Sequence, residues 1–140
     1  MTNVLEMNFK QIESYQALNQ QLPIPMVQVV LGAPGSGKTA HAKSVLPRII
    51  ATARGINESD VAVIVSRPSL RDSVEFTGVG IPQKDEDGQL VTRFSLPNLL
   101  EQINTALKTF EVALVILDEM SSADDDIQKA LADCLDPETR

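Results

Sequence analysis

Residues 32 to 39 read Gly32-Ala33-Pro34-Gly35-Ser36-Gly37-Lys38-Thr39, the G-x-x-x-x-G-K-[ST] spacing of a phosphate loop, directly after the apolar run Met26-Val27-Gln28-Val29-Val30-Leu31. Glycines there let successive backbone N–H groups curl around a β-phosphate, and the helix that follows adds the positive end of its dipole. Lys38 is expected to bridge the β- and γ-phosphates and Thr39 to place its hydroxyl on Mg²⁺, a hard octahedral ion that accepts few protein ligands in a phosphate site. The nucleotide-binding stretch then runs from Gly32 through Ala40. A glycine-rich turn without a ligand is the alternative, and it gives no reason for Lys38 and Thr39 to follow.

A second apolar run, Val112-Ala113-Leu114-Val115-Ile116-Leu117, ends in Asp118-Glu119, the form of a Walker B strand. Buried parallel strands read as continuous aliphatic runs, and ligands of α/β folds collect at strand C-terminal ends. Asp118 is expected to hold Mg²⁺ through its water shell, and Glu119 to orient and activate the attacking water. Taken alone, such a run also fits a strand that ends in a solvated acidic turn. Paired with the phosphate loop, it reads as the second half of a nucleotide-hydrolysing site.

The elements that must position these residues fit one domain, since 140 residues with 43% hydrophobic content can bury one core. Net charge is −7 and the twelve basic residues are scattered, so no basic face for nucleic acid is expected. No apolar stretch approaches the roughly twenty residues of a membrane span, and the polar, acidic N-terminus does not read as a signal peptide, so a cytoplasmic protein is expected. Cys134 is the single cysteine, which excludes an internal disulfide and a cysteine-rich metal site and leaves a core-filling role.

Along the chain, Leu5, Phe9, Ile12 and Leu22 lie roughly on one stripe of an N-terminal helix (residues 1–23) that Pro23 and Pro25 end. Ile24-Pro25-Met26 lines an adenine pocket or serves as a rigid linker; both readings stay open. The helix after the loop carries Val45, Leu46, Ile49 and Ile50, but Pro47 forces a kink or break near Val45. His41, in the first turn, reads as a surface or base-packing residue outside the catalytic set. Asp60 to Val65 is a strand closed by Arg67-Pro68. Val79–Ile81 and Leu90–Phe94 flank the polar tip Lys84-Asp85-Glu86-Asp87-Gly88, whose Asp-Gly pair favours a hairpin turn. Ser95 and Pro97 start a helix with Leu99, Leu100, Ile103 and Leu107 on one face. Ser121-Ser122-Ala123-Asp124-Asp125-Asp126 reads most simply as a helix start and, less simply, as a metal triad. Ile127, Leu131, Cys134 and Leu135 form the buried stripe of that last helix.

These residues together resemble the MoxR-like, dynein-related branch of the AAA+ ATPases. Asp72-Ser73-Val74-Glu75-Phe76-Thr77-Gly78 looks like that branch's D-x-x-[DE]-hydrophobic-x-G segment, and Thr92-Arg93-Phe94 with Leu96-Pro97 looks like its T-R-W/F-x-x-P stretch. The resemblance covers about residues 24 to 140 and implies an α/β fold: the three-layer P-loop NTPase architecture with a mostly parallel sheet and a helix-2 insertion hairpin. It also implies ATP and Mg²⁺ as cofactors, a homo-oligomeric ring, hexameric by resemblance, and contact with a protein partner or substrate through the 78–94 hairpin and Phe94.

The chain departs from that pattern in two places. Ser121 stands where the D-E-x-N form of the family carries asparagine. Arg140 falls at the end of the helix after Walker B, before the sensor 1 strand, arginine finger and helical lid, so a partial AAA+ module is expected. The alternatives are that strand 27–31 pairs directly with 112–117, or that a partner completes the sheet. Loss of a trans arginine removes a contact worth about 10³ to 10⁵ in rate in other P-loop enzymes, so slow or absent turnover of the isolated chain is expected. Two other functions compete: a nucleotide-dependent binding or regulatory module with incidental hydrolysis, and a P-loop small-molecule kinase. Glu119 beside the γ-phosphate water and the lack of a lid with clustered arginines speak against the kinase.

Overall fold

The computed structural model describes residues 6–23 and 26–135, with side chains up to 133. Leu5, Ile24, Pro25, Arg140 and the side chains of Cys134 and Leu135 therefore lie outside the described residues, and with them most of the segment weighed as an adenine pocket. The backbone divides into two units, residues 1–63 with 109–116 and residues 64–108 with 117–140.

In the first unit, helix α1 (Phe9–Asn19) starts at Asn8, whose side chain accepts from Gln11 N–H at 3.0 Å while the Gln11 side chain accepts from Asn8 N–H at 2.9 Å. This reciprocal capping box sets the start several residues inside the expected boundary. Helix α2 (Lys38–Ser44) stops at Val45, and α3 (Leu46–Arg54) begins anew with Pro47 in its first turn. The break expected at Pro47 is present, placed where its missing N–H is one of the groups a helix start leaves unpaired anyway. The amphipathic α3 presents Ile50 and Ala51 to Val61, with Ile56, Val112 and Leu114 packed around them.

Strands β1 (Val61–Ser66) and β4 (Val112–Leu117) form a two-stranded sheet. Glu111 N–H donates to Asp60 O at 2.9 Å and Asp118 N–H to Ser66 O at 2.8 Å, so partners advance together and the pair is parallel. The mostly parallel sheet expected from the sequence is thus reduced to one parallel pair, beside a separate antiparallel one. The strand expected at 27–31 is not formed, and it does not pair with 112–117: residues 26–33 carry no regular structure, with Val27 82% and Val29 80% exposed. Aliphatic content alone marked that run as a buried strand, whereas a strand also requires a ladder partner for its N–H and C=O groups. Its start is held by the buried Asn19, whose amide donates to Met26 O and accepts from Met26 N–H, both at 2.9 Å.

In the second unit, α4 (Val74–Thr77), α5 (Asn98–Ala106) and α6 (Asp125–Leu135) surround buried Phe76, Leu99, Ile127, Ala130 and Leu131. Glu75 ties α4 to its neighbours, accepting from Arg71 at 2.8 Å and from Asn98 at 3.4 Å. The cavity these residues share with Phe76 and Leu99 measures about 10 Å³, room for one water and not for a nucleotide. Strands β2 (Gly80–Lys84) and β3 (Leu90–Phe94) make the expected hairpin, in register from Gly80 opposite Phe94 to Lys84 opposite Leu90. The Asp85 side chain accepts from Asp87 N–H at 3.1 Å and Gln89 N–H at 2.7 Å, fixing the tip, and Gly88 supplies its positive φ of 77°.

The base of the hairpin depends on Gly78. Its φ of 78° and ψ of 172° fall where only glycine is comfortable, and a Cβ there would collide with the Ser95 carbonyl oxygen. Val79 N–H donates to Ser95 Oγ and Ser95 N–H to Val79 O, each at 2.8 Å, so Ser95 has no room to retreat without breaking both. Gly78→Ala is expected to destabilise the chain by about 1 to 3 kcal/mol, read as a lower urea midpoint; an unchanged midpoint contradicts it.

Candidate functional site

The loop of the first unit is built around two left-handed glycines, Gly35 at φ 74° and Gly37 at φ 83°, with open space where a Cβ would stand on either. Gly37 caps α2, and its carbonyl accepts from His41 N–H at 2.8 Å, so the chain passes from loop to helix within one residue. Lys38 turns back over the loop: its Nζ donates to the carbonyls of Gly32 at 2.8 Å and Ala33 at 2.9 Å and meets Ser36 Oγ at 3.3 Å. Ser36 N–H donates to Ala33 O at 3.3 Å, closing the turn that carries Pro34. The positive charge expected to meet phosphate is therefore held at the loop, by solvent-exposed contacts that compete poorly with an anion. Thr39 and Ala40 occupy the first turn of α2.

His41 packs its ring on Phe9 of α1, with centroids 4.3 Å apart and planes at 23°, and its Nε2 lies 3.7 Å from Glu13 Oε1. The ring is thus packed against α1, with its side chain 13% exposed, rather than lying at the surface.

The acidic pair of the second unit follows directly on the C-terminal end of β4. Asp118 is held by its own N–H to Ser66 O at 2.8 Å, which brings the ends of the two parallel strands side by side. Arg67, the first residue after β1, places its Nε 3.4 Å from Asp118 Oδ2. Sequence reasoning treated Arg67 only as the close of a strand.

Glu119 is exposed and adopts φ 56°, ψ 32°, the one non-glycine residue with positive φ among the described residues. Glutamate pays a steric penalty there, because its Cβ approaches the following carbonyl. Glu119→Gly is therefore expected to stabilise the fold by about 1 kcal/mol while removing the candidate base, measured by thermal melting beside phosphate release. Destabilisation by glycine would show that the backbone at 119 is not strained.

The Asp124 to Asp126 run takes the simpler of its two readings: Asp125 and Asp126 occupy the first turn of α6. Among the described residues no group of three His, Cys, Asp or Glu side chains is arranged to hold a metal ion. A Mg²⁺ in a phosphate site needs only one or two protein oxygens besides phosphate and water, and each unit carries one donor of that hard type, the Thr39 hydroxyl in the first and the Asp118 carboxylate in the second. No described helix is long and apolar enough to cross a membrane. No protein-family model matches the chain, and neither does any curated protein or solved structure.

Proposed function

We propose that the chain binds ATP with Mg²⁺ at residues 32–40 and hydrolyses it, as the nucleotide-binding part of a ring-forming AAA+ ATPase with the three-layer P-loop NTPase fold that remodels a protein partner. The observation that carries this reading is the loop itself: Lys38 folded over the Gly32 and Ala33 carbonyls, between two glycines in left-handed conformation. Backbone N–H groups of the loop bind phosphate oxygens, and Lys38 exchanges its carbonyl partners for the β- and γ-phosphates. Thr39 and Asp118 provide oxygens toward the metal. Mg²⁺, when bound, neutralises phosphate charge and fixes the orientation of the β- and γ-oxygens. Glu119 accepts a hydrogen bond from the attacking water and takes its proton as the water adds to the γ-phosphorus and the β–γ bridging bond opens. The exposed hairpin, with Leu90 75% and Phe94 73% accessible, supports contact with a protein partner.

Single-turnover release of phosphate from radiolabelled ATP, with and without Mg²⁺, tests the hydrolytic half. Mg²⁺-dependent release that Glu119→Gln removes supports it. ATP association with no release favours the second reading, a nucleotide-dependent binding module, to which the exposed hairpin is equally suited.

A further inference from the structure

The hairpin of the second unit has two outer edges, and its sequence blunts only one of them. Ser95 N–H donates to Val79 O at the base and Asp85 N–H to Gln89 O at the tip, so the hydrogen-bonded pairs are 79 with 95, 81 with 93, 83 with 91 and 85 with 89. The residues between them turn their N–H and C=O groups outward. On β2 these are Gly80, Pro82 and Lys84, and Pro82, which has no N–H, interrupts that edge. On β3 they are Leu90, Thr92 and Phe94, and no other described strand pairs with them.

The same three residues share a face. Directly opposite positions of a ladder point to one side, which groups Phe94 with Gly80, Thr92 with Pro82 and Leu90 with Lys84. The contacts around Gly80 agree: a Cβ there would stand 3.0 Å from Thr92 Cγ2 and 3.5 Å from Phe94 Cε1. Leu90 is 75% and Phe94 73% exposed, so the open edge is also an apolar one. β3 contains no proline, and its one charge, Arg93, lies on the other face opposite Ile81.

Leu90-Val91-Thr92-Arg93-Phe94 is complementary to itself when reversed. A twofold axis at Thr92 sets Thr92 against Thr92 of the second copy, and Leu90 of each against Phe94 of the other. These are the pairs whose backbone groups face outward, so one register satisfies both the ladder and the apolar contacts. Between them Val91 meets Arg93, and no like charges stand opposite. An unrelated extended strand finds the same ladder, but filling the Leu90 and Phe94 positions takes the reversed apolar spacing, which β3 itself supplies.

We propose that β3 pairs antiparallel with β3 of a second copy about Thr92, joining two hairpins into a four-stranded sheet in the order β2-β3-β3-β2. The contact is isologous and closes at two copies. It names the partner of the exposed hairpin and uses nothing of residues 32–40, so it stands or falls apart from nucleotide binding.

Sedimentation equilibrium of the full chain from micromolar to millimolar concentration reads the association, and wild type is expected to pass from one copy to two. Thr92→Pro removes an outward N–H and leaves the bonds to β2 in place, as Pro82 already does across the ladder. It is expected to raise the concentration of half-dimerisation about 10- to 100-fold, through loss of the two hydrogen bonds between the Thr92 residues. The register is read separately by oxidative cross-linking in a Cys134→Ser background, which removes the single native thiol. Thr92→Cys is expected to join two copies, because directly opposite Cα atoms lie within disulfide reach, whereas Lys84→Cys on the blunted edge is not. A wild-type chain that stays monomeric at millimolar concentration overturns the proposal and leaves the edge to a strand of another protein. A dimer that Thr92→Pro leaves unchanged, or one cross-linked through position 84 and not through 92, overturns it as well.

Discussion

Glu119→Gln is expected to retain ATP binding while slowing single-turnover phosphate release by about 10² to 10⁴, the range that a general base contributes. Glutamine keeps the length and polarity of the side chain but does not take a proton from water. It also leaves the left-handed backbone at φ 56° as it is, so folding stability is expected to change little. That pairing separates chemistry from structure, because Glu119→Gly moves stability upward and loses the same activity. Phosphate release unchanged in the glutamine variant would show that Asp118-Glu119 is only the acidic end of a strand.

Lys38→Ala acts on the other half of the account and is expected to weaken ATP binding roughly 10²-fold, the loss of charge-assisted hydrogen bonds to two phosphates. The same ammonium rests on exposed carbonyls of Gly32 and Ala33, which water serves equally well once the lysine is gone. The melting temperature without nucleotide is therefore expected to stay close to wild type, while the stabilisation that ATP confers by mass action disappears. Equal ATP affinity in the two proteins, measured by calorimetry, contradicts a phosphate role for Lys38.

Local chemistry explains which parts of the structure are legible in the sequence. The break at Val45 follows from Pro47, the hairpin from two short β-rich runs around an Asp-Gly pair, and the start of α6 from Asp125 and Asp126, each decided by residues adjacent in the chain. The loop's glycine pattern likewise foretells the left-handed conformations at 35 and 37. Strand 27–31 fails for the opposite reason, because pairing depends on a neighbour that the run itself does not encode. Arg67 beside Asp118 was hidden in the same way: the two lie far apart in sequence and meet only through the parallel register of β1 and β4. The strain at Glu119 has no sequence signal, since glutamate is not a residue that favours positive φ.

The central claim is that residues 32–40 hold a triphosphate, and amide chemical shifts of the isotope-labelled chain during titration with ATP and Mg²⁺ test it most directly. The account predicts saturable shifts concentrated on Gly35, Gly37, Lys38, Thr39 and Ala40, lost in the Lys38→Ala chain. Saturable shifts that leave this loop unmoved, or no shifts at millimolar ATP and Mg²⁺, would contradict it.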